Sequence, residues 1–313
     1  MNRALGTATL ALLAAAPGLA ALAAEPPNVV ASIRPVHSLA AGVMGDVGTP
    51  SLVVSGYGSP HVYQMRPSEA RALADADVVI WIGEALETFM TGPIRNLSAD
   101  ARIVTLLEAG GLDLHPARRS NLWDSGHDHE DDGAVLDPHI WLEPRNAKAV
   151  VDVIAGVLAD IDPSRSAVYT ANAAATIARI DALSAAIGAQ LADVGNVPFV
   201  AMHDSTHYFE SAFGLNGVGA LMLDPERQPG AGSVRALRQR MRAVGVVCYL
   251  AEPQFTSALV ETLESGGTLR RATFDPIGPE AAVAADSYFA MMKANADNLA
   301  RCLAGHHGAV TLP

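Results

Sequence analysis

Beyond residue 24 the 313-residue sequence has no apolar run long enough to cross a bilayer, so no later segment should span a membrane. Basic residues are scarce: 21 Lys and Arg stand against 33 Asp and Glu, a net charge of −12. So acidic a chain repels nucleic acid and anionic lipid, and it mildly concentrates cations near its surface. Cysteine is nearly absent. The two that occur, Cys248 and Cys302, lie near none of the histidine motifs around His61, His139 and His203, which disfavours a metal–thiolate site. In an oxidising compartment they should pair. Closing a loop of that length stabilises a fold by roughly 4 kcal/mol on the chain-entropy model.

The exception to the first absence is the N-terminus. MNRALGTATLALLAAAPGLAALAA has a charged start at Arg3, an apolar core from Ala4 to Ala16, and the small residues Ala21, Ala23 and Ala24 before Glu25. This is the pattern of a cleaved secretory signal over residues 1–24. The apolar run is short for an anchor, and Pro17-Gly18 interrupts it. No cysteine stands at the cleavage point to carry a lipid, so a soluble periplasmic protein is expected. Cleavage removes one arginine, leaving 20 basic residues against 33 acidic and a net of −13. The remaining length exceeds one typical domain and is enough for two hydrophobic cores.

From Val29 onward short apolar runs alternate with helical periods. Strands are expected at 29–33, 51–54, 78–82 and 103–106, with helices from about Val36, Pro67 and Ala85. That alternation predicts βαβ units and a parallel sheet. A helix follows Pro144 to about Asp160, and Asp162-Pro163 then marks a new start, aspartate as N-cap before proline. Tyr169, Ala173, Ile177, Ile180, Leu183, Ile187 and Leu191 recur at three or four, predicting one helix of about 30 residues, some 45 Å long. A second series follows, with strands at 199–202, 217–223, 246–250 and 271–274. Its helices fall near 205–213, 233–244, 257–265 and 281–303. The expected fold is α/β, two lobes each with a parallel sheet flanked by helices. The N-terminal lobe covers 25–161, the linking helix 162–195 and the C-terminal lobe 196–313.

Three histidines, each beside an apolar run, stand out: His61 in GSPHVYQMRPSE, His139 in LDPHIWLEPRNA and His203 in FVAMHDSTHYF. Asp275 follows a strand-like stretch in RRATFDPIG. Neutral imidazole and carboxylate suit a borderline-soft divalent cation such as zinc. Ligands so far apart converge only where a fold gathers several strand ends, and open parallel sheets bind ligands beyond their carboxyl ends.

The segments SPHVYQMRPSEARALADADVVIWIG, DPHIWLEPRNA, FVAMHDSTHYFESAFGL, LAEPQF and TFDPIG resemble, in order, those of the periplasmic zinc-binding receptors of ABC importers. These belong to the wider cluster of zinc, manganese and iron solute-binding proteins. The resemblance implies a long backbone helix between two lobes and a metal site in the cleft, with His61, His139, His203 and Asp275 as ligands. In some relatives the carboxylate is the fourth ligand, and in others water or a loop carboxylate takes its place. It also implies a Cys248–Cys302 bridge in the C-terminal lobe, zinc as transported cargo, and an inner-membrane permease as partner of a monomeric receptor. Glu252 is expected behind a ligand or at a helix cap, and Arg66 and Trp141 as supports for the loops. The short segment SGHDHEDDG, with His127 and His129, stands where similar receptors carry a longer histidine-rich acidic loop, so a weak accessory metal site is expected there.

A filled tetrahedral shell leaves no open position for catalysis, so no enzyme is expected. The alternatives are a manganese or iron receptor on the same fold and a periplasmic zinc hydrolase. His203-Asp-Ser-Thr-His207 has the spacing of the H-E-x-x-H protease motif, but that motif needs both histidines on one helix and a glutamate base. His203 follows a strand instead, which leaves His207 expected as a surface residue. His306-His307 is expected to be a surface pair.

Overall fold

The computed structural model describes residues 25–123, 135–255, 269–278 and 284–304. The signal segment, the His127/His129 segment, the expected helix at 257–265 and His306-His307 lie outside these residues. Among the described residues the first lobe holds β1 (Val29–Ala31), α1 (Arg34–Met44), β2 (Ser51–Leu52), α2 (Pro67–Ala74), β3 (Val78–Trp81), α3 (Thr88–Leu97) and β4 (Arg102–Thr105). Then come α4 (Pro144–Ile161) and the long α5 (Ser166–Leu191). The second lobe holds β5 (Phe199–His203), α6 (His207–Phe213), β6 (Gly217–Met222), α7 (Ala231–Val244), β7 (Cys248–Ala251), β8 (Arg270–Thr273) and α8 (Ser287–Ala304).

Each lobe has a four-stranded sheet, ordered β2-β1-β3-β4 and β6-β5-β7-β8, and every pairing is parallel. Both faces must then be covered, and the side-chain alternation shows how. In β1 and β3, Val29, Ala31, Val78 and Ile80 face inward, while Val30, Val79 and Trp81 face the cluster that includes Leu73 of α2 and Met90 of α3. In β5, Phe199 faces inward and Val200 and Met202 face the cluster with Leu237 of α7.

The inner faces of both sheets share one continuous cluster running from Val29 and Leu39 through Leu158, Tyr169 and Ile180 to Phe199, Leu250, Phe274 and Leu299. The reason is α5, which packs on α1 and α4 of the first lobe and on α8 of the second, burying Tyr169, Ala173, Ile180, Ile187 and Leu191. At 26 residues it is shorter than the periodicity suggested, because Pro163–Arg165 forms a 3₁₀ turn of its own. The Asp162 carboxylate does not cap it. It accepts from Ser164 Oγ, Arg165 Nη1 and Tyr169 Oη at 2.6, 2.7 and 2.8 Å, and these donors hold its pKa down at about 2.

One segment leaves the lobe in which it starts. After Pro116, which bridges to Leu136, the chain crosses to the free edge of the second sheet, where Leu122 pairs antiparallel with Gly219 of β6. Ala220 N–H donates to Asn121 O at 3.0 Å, and Trp123 N–H to Val218 O at 3.3 Å. Glycine makes the approach possible: a Cβ at Gly219 would sit 2.5 Å from Asn121 O, and one at Gly217 2.7 Å from Trp123. Arg118 lies over the Trp123 ring and bonds Asp204 and Glu210 of the second lobe at 2.9 and 2.8 Å. The strap thus ties the lobes together beside the cleft. The expected disulfide is present, joining Cys248 at the start of β7 to Cys302 near the end of α8, with Cα atoms 5.8 Å apart.

Candidate metal centre

His203 is the last residue of β5, so the strand itself aims it past the sheet's carboxyl end. Its Nδ1 faces both carboxylate oxygens of Glu252, just beyond β7, at 3.0 and 3.2 Å. Ser205 Oγ donates to the same carboxylate at 2.8 Å. Nδ1 therefore carries the proton, and the buried Nε2, which has no hydrogen-bond partner, is the free donor atom. Burial acts to lower the His203 pKa, but the Glu252 carboxylate outweighs it and the net shift is upward.

His139 opens a 3₁₀ turn over Ile140–Leu142. The Asp137 carboxylate accepts from the His139 backbone N–H at 3.0 Å and faces its Nδ1 at 2.7 Å, fixing backbone and ring together. Burial works against ionisation of Asp137, yet the adjacent His139 holds its pKa far below the usual carboxylate range. The turn is anchored across the cleft: Trp141 Nε1 donates to Pro276 O at 2.6 Å, and Tyr288 Oη to Trp141 O at 3.1 Å.

His61 lies in the loop between β2 and α2. Tyr63 Oη and the Arg66 backbone N–H both donate to the Glu69 carboxylate at 2.7 Å, which ties the loop to the first turn of α2. The Arg66 side chain itself is mostly exposed, so its backbone does the supporting. His61 Nε2 is buried without a partner. Its pKa is well below the ordinary imidazole value, first through burial and then through the neighbouring His203 and His139. A neutral imidazole is the form that binds a metal.

The three rings converge. Their centroids lie 5.0 to 5.6 Å apart, and one nitrogen from each falls within 4.8 Å of the others. They line a cavity of about 10 Å³ with Ser59, Pro60, Trp141, Glu252, Gln254, Pro276 and Ile277. That volume holds one ion or one water and no organic molecule. The donor set suits zinc.

Asp275 stands apart from this group. Its Oδ1 accepts from Gln254 Nε2, Ile277 N–H and Gly278 N–H at 2.9, 3.2 and 3.0 Å, so it braces the turn after β8. Burial raises its pKa against these three donors. Glu252 stands behind a histidine, as one of its two expected roles had it. The role of Asp137 was missed, although its D-x-H spacing, which lets a side chain accept from the backbone two residues on, was a readable signal. His207 is no surface residue: its side chain is 14% exposed and faces Asp137 Oδ2 at 3.6 Å, because α6 turns it back against the first lobe.

The profile of the periplasmic component A of zinc-uptake complexes matches residues 29–302. The chain belongs to this family. Among curated relatives, the high-affinity zinc uptake system protein ZnuA of Brucella abortus is 35% identical over 312 residues, covering 90% of this chain and 93% of the relative. The protein of the same name from Paracoccus denitrificans is 34% identical, with 93% and 97% covered. Among solved structures, a crystal structure of ZnuA superposes with a TM-score of 0.75 at 24% identity, covering 88% of this chain and 99% of that one. That likeness shows the fold: two lobes with parallel sheets.

Proposed function

We propose that the protein captures zinc with high affinity in the periplasm and hands it to the permease of an ABC importer, with His61, His139 and His203 holding the ion. The observation that carries this reading is the convergence of three imidazoles, two of them with buried, unpartnered Nε2 atoms. Leaving such atoms unpaired costs free energy that a bound cation recovers. The relatives' names speak for zinc uptake, and the family description for the periplasm. The N-terminal signal accounts for export, and among the described residues no helix is long and apolar enough to cross a membrane.

Asp275 completes the shell on loading by turning away from Gln254. Lobes at 25–161 and 196–313, with the linking helix between them, frame the site. The protein acts as a monomer and makes or breaks no bond, since the cavity has no room for an organic substrate beside an ion. Calorimetric melting with zinc and with chelator tests the reading. Zinc at about a thousand times its dissociation constant should stabilise the fold by roughly 4 kcal/mol, and an unchanged melting temperature overturns high-affinity capture.

A further inference from the structure

A second pair of imidazoles lies beside the first site, and nothing in zinc capture by the three histidines uses it. His115 and His207 have ring centroids 4.7 Å apart. Each has a buried Nδ1 without a hydrogen-bond partner. His207 Nδ1 faces Asp137 Oδ2 at 3.6 Å, too long for a hydrogen bond. It is close to the separation of about 3.3 Å between two ligand atoms of one tetrahedral ion with bonds of about 2.0 Å.

The backbone builds this arrangement. Asp137 N–H donates to His115 O at 2.9 Å and Ala117 N–H to Val135 O at 2.8 Å, so the two segments run antiparallel and set His115 beside Asp137. Tyr208, next to His207, stacks on the His115 ring at 4.5 Å and donates from its hydroxyl to Asp137 O at 3.2 Å. The Tyr208 hydroxyl also accepts from the His115 backbone N–H at 2.9 Å. His115 is thus positioned by bonds other than those of its own free nitrogen, and His207 by its place at the start of α6 beside Tyr208.

We propose that His115 and His207, with Asp137 Oδ2, form a second binding site for zinc or another borderline-soft divalent cation. The site is more open than the first, and His115 closes on the ion by turning its ring on the face of Tyr208. It is therefore the weaker of the two. Asp137 belongs to both: one oxygen orients His139, and the other is the anionic ligand here. An ion at the second site draws on the charge that steadies His139, so filling it weakens the hold of the first, and by linkage the reverse is equally true.

The test uses the full mature chain with His127→Ala, His129→Ala, His306→Ala and His307→Ala, which removes the other histidines able to add weak zinc binding. Zinc titration against a competing chelator should show two sites, the second at least a hundredfold weaker. His115→Ala and His207→Ala, singly, should each weaken the second site tenfold or more and leave the first within threefold, which also shows that the variants fold. His203→Ala should do the opposite, weakening the tight site more than about a hundredfold and sparing the weak one, so the proposal and the three-histidine reading fail separately. In the parent chain, chelator should strip the tight zinc faster when the second site is filled, and His207→Ala should abolish that acceleration. A single site in the parent chain, or a second site indifferent to both His115 and His207, overturns the proposal.

Discussion

His203 stands on a strand end, while His61 and His139 stand on loops, so under the proposed function the two lobes offer zinc different kinds of ligand. The second lobe's histidine is locked by its own strand and by a carboxylate from the neighbouring strand's end, both parts of one hydrogen-bonded sheet. The first lobe's pair depends on side-chain bonds that hold irregular backbone: Glu69 for the loop of His61, Asp137 and the cross-cleft Trp141 bond for the turn of His139. One lobe presents a fixed anchor and the other an adjustable clamp. A cargo protein must both hold and release, and this division places the yielding parts on one side of the ion.

The largest expected effect comes from removing the anchor. His203→Ala should cut zinc affinity by more than about a hundredfold, beyond what loss of a ligand's supporting partner costs. His61→Ala should cost less, since its loop can readjust. Competitive titration of the two variants decides, and equal losses break the contrast between anchor and clamp. His203→Glu should weaken zinc and narrow its advantage over manganese, because oxygen ligands bind manganese comparatively well.

Next come the supports. Glu252→Gln and Asp137→Asn should each lower zinc affinity roughly 10- to 100-fold. The Glu252 change should act mainly on zinc release, since the histidine's position is set by the strand. Asp137→Asn also loosens the backbone of the turn. Stopped-flow transfer to a chelator measures both, and a Glu252→Gln protein that binds like the parent contradicts the anchor.

The bridge between β7 and α8 should matter for the lobe rather than the ion. Cys248→Ser with Cys302→Ser should lower stability by roughly 4 kcal/mol on the chain-entropy model and leave zinc affinity within about threefold. Denaturant melts of metal-free protein, paired with titration, check this. The smallest effect concerns Glu87, buried in the first lobe, where Ser32 Oγ donates to its carboxyl and Gly83 N–H does so at 3.0 Å. Burial pushes its pKa from 4.5 to about 7. The folded chain therefore holds this proton more tightly than the unfolded one. The stability it contributes is full below about pH 4.5 and is lost as the pH rises through about 7. Glu87→Gln should flatten that slope in melts between pH 5 and 8, with no change in zinc affinity.

Much of this was legible before any coordinates. The alternation of apolar runs predicts eight parallel strands and their helices, and Ile180, Ile187 and Leu191 at helical spacing predict α5. The strand-end placement of His203 pointed to the centre because the rule for parallel sheets is local: the residue leaving a strand's carboxyl end faces the crevice. His61 and His139 became candidates by residue type and resemblance, but their convergence depends on how the loops return.

What the sequence determined by itself was the set of elements and donor types, since backbone periodicity and imidazole chemistry are properties of short segments. The tertiary structure alone decided which long-range pairs form. It joined the inner faces of both sheets in one cluster around α5, because that helix buries residues along its length against both lobes. It carried the strap at Asn121–Trp123 onto β6, where two glycines leave room. It set Asp275 Oδ1 to brace the turn after β8, where three N–H donors from Gln254, Ile277 and Gly278 meet it. It also brought His207 from an expected surface position to face Asp137 beside His115, 92 residues away in sequence, a contact that no local pattern encodes.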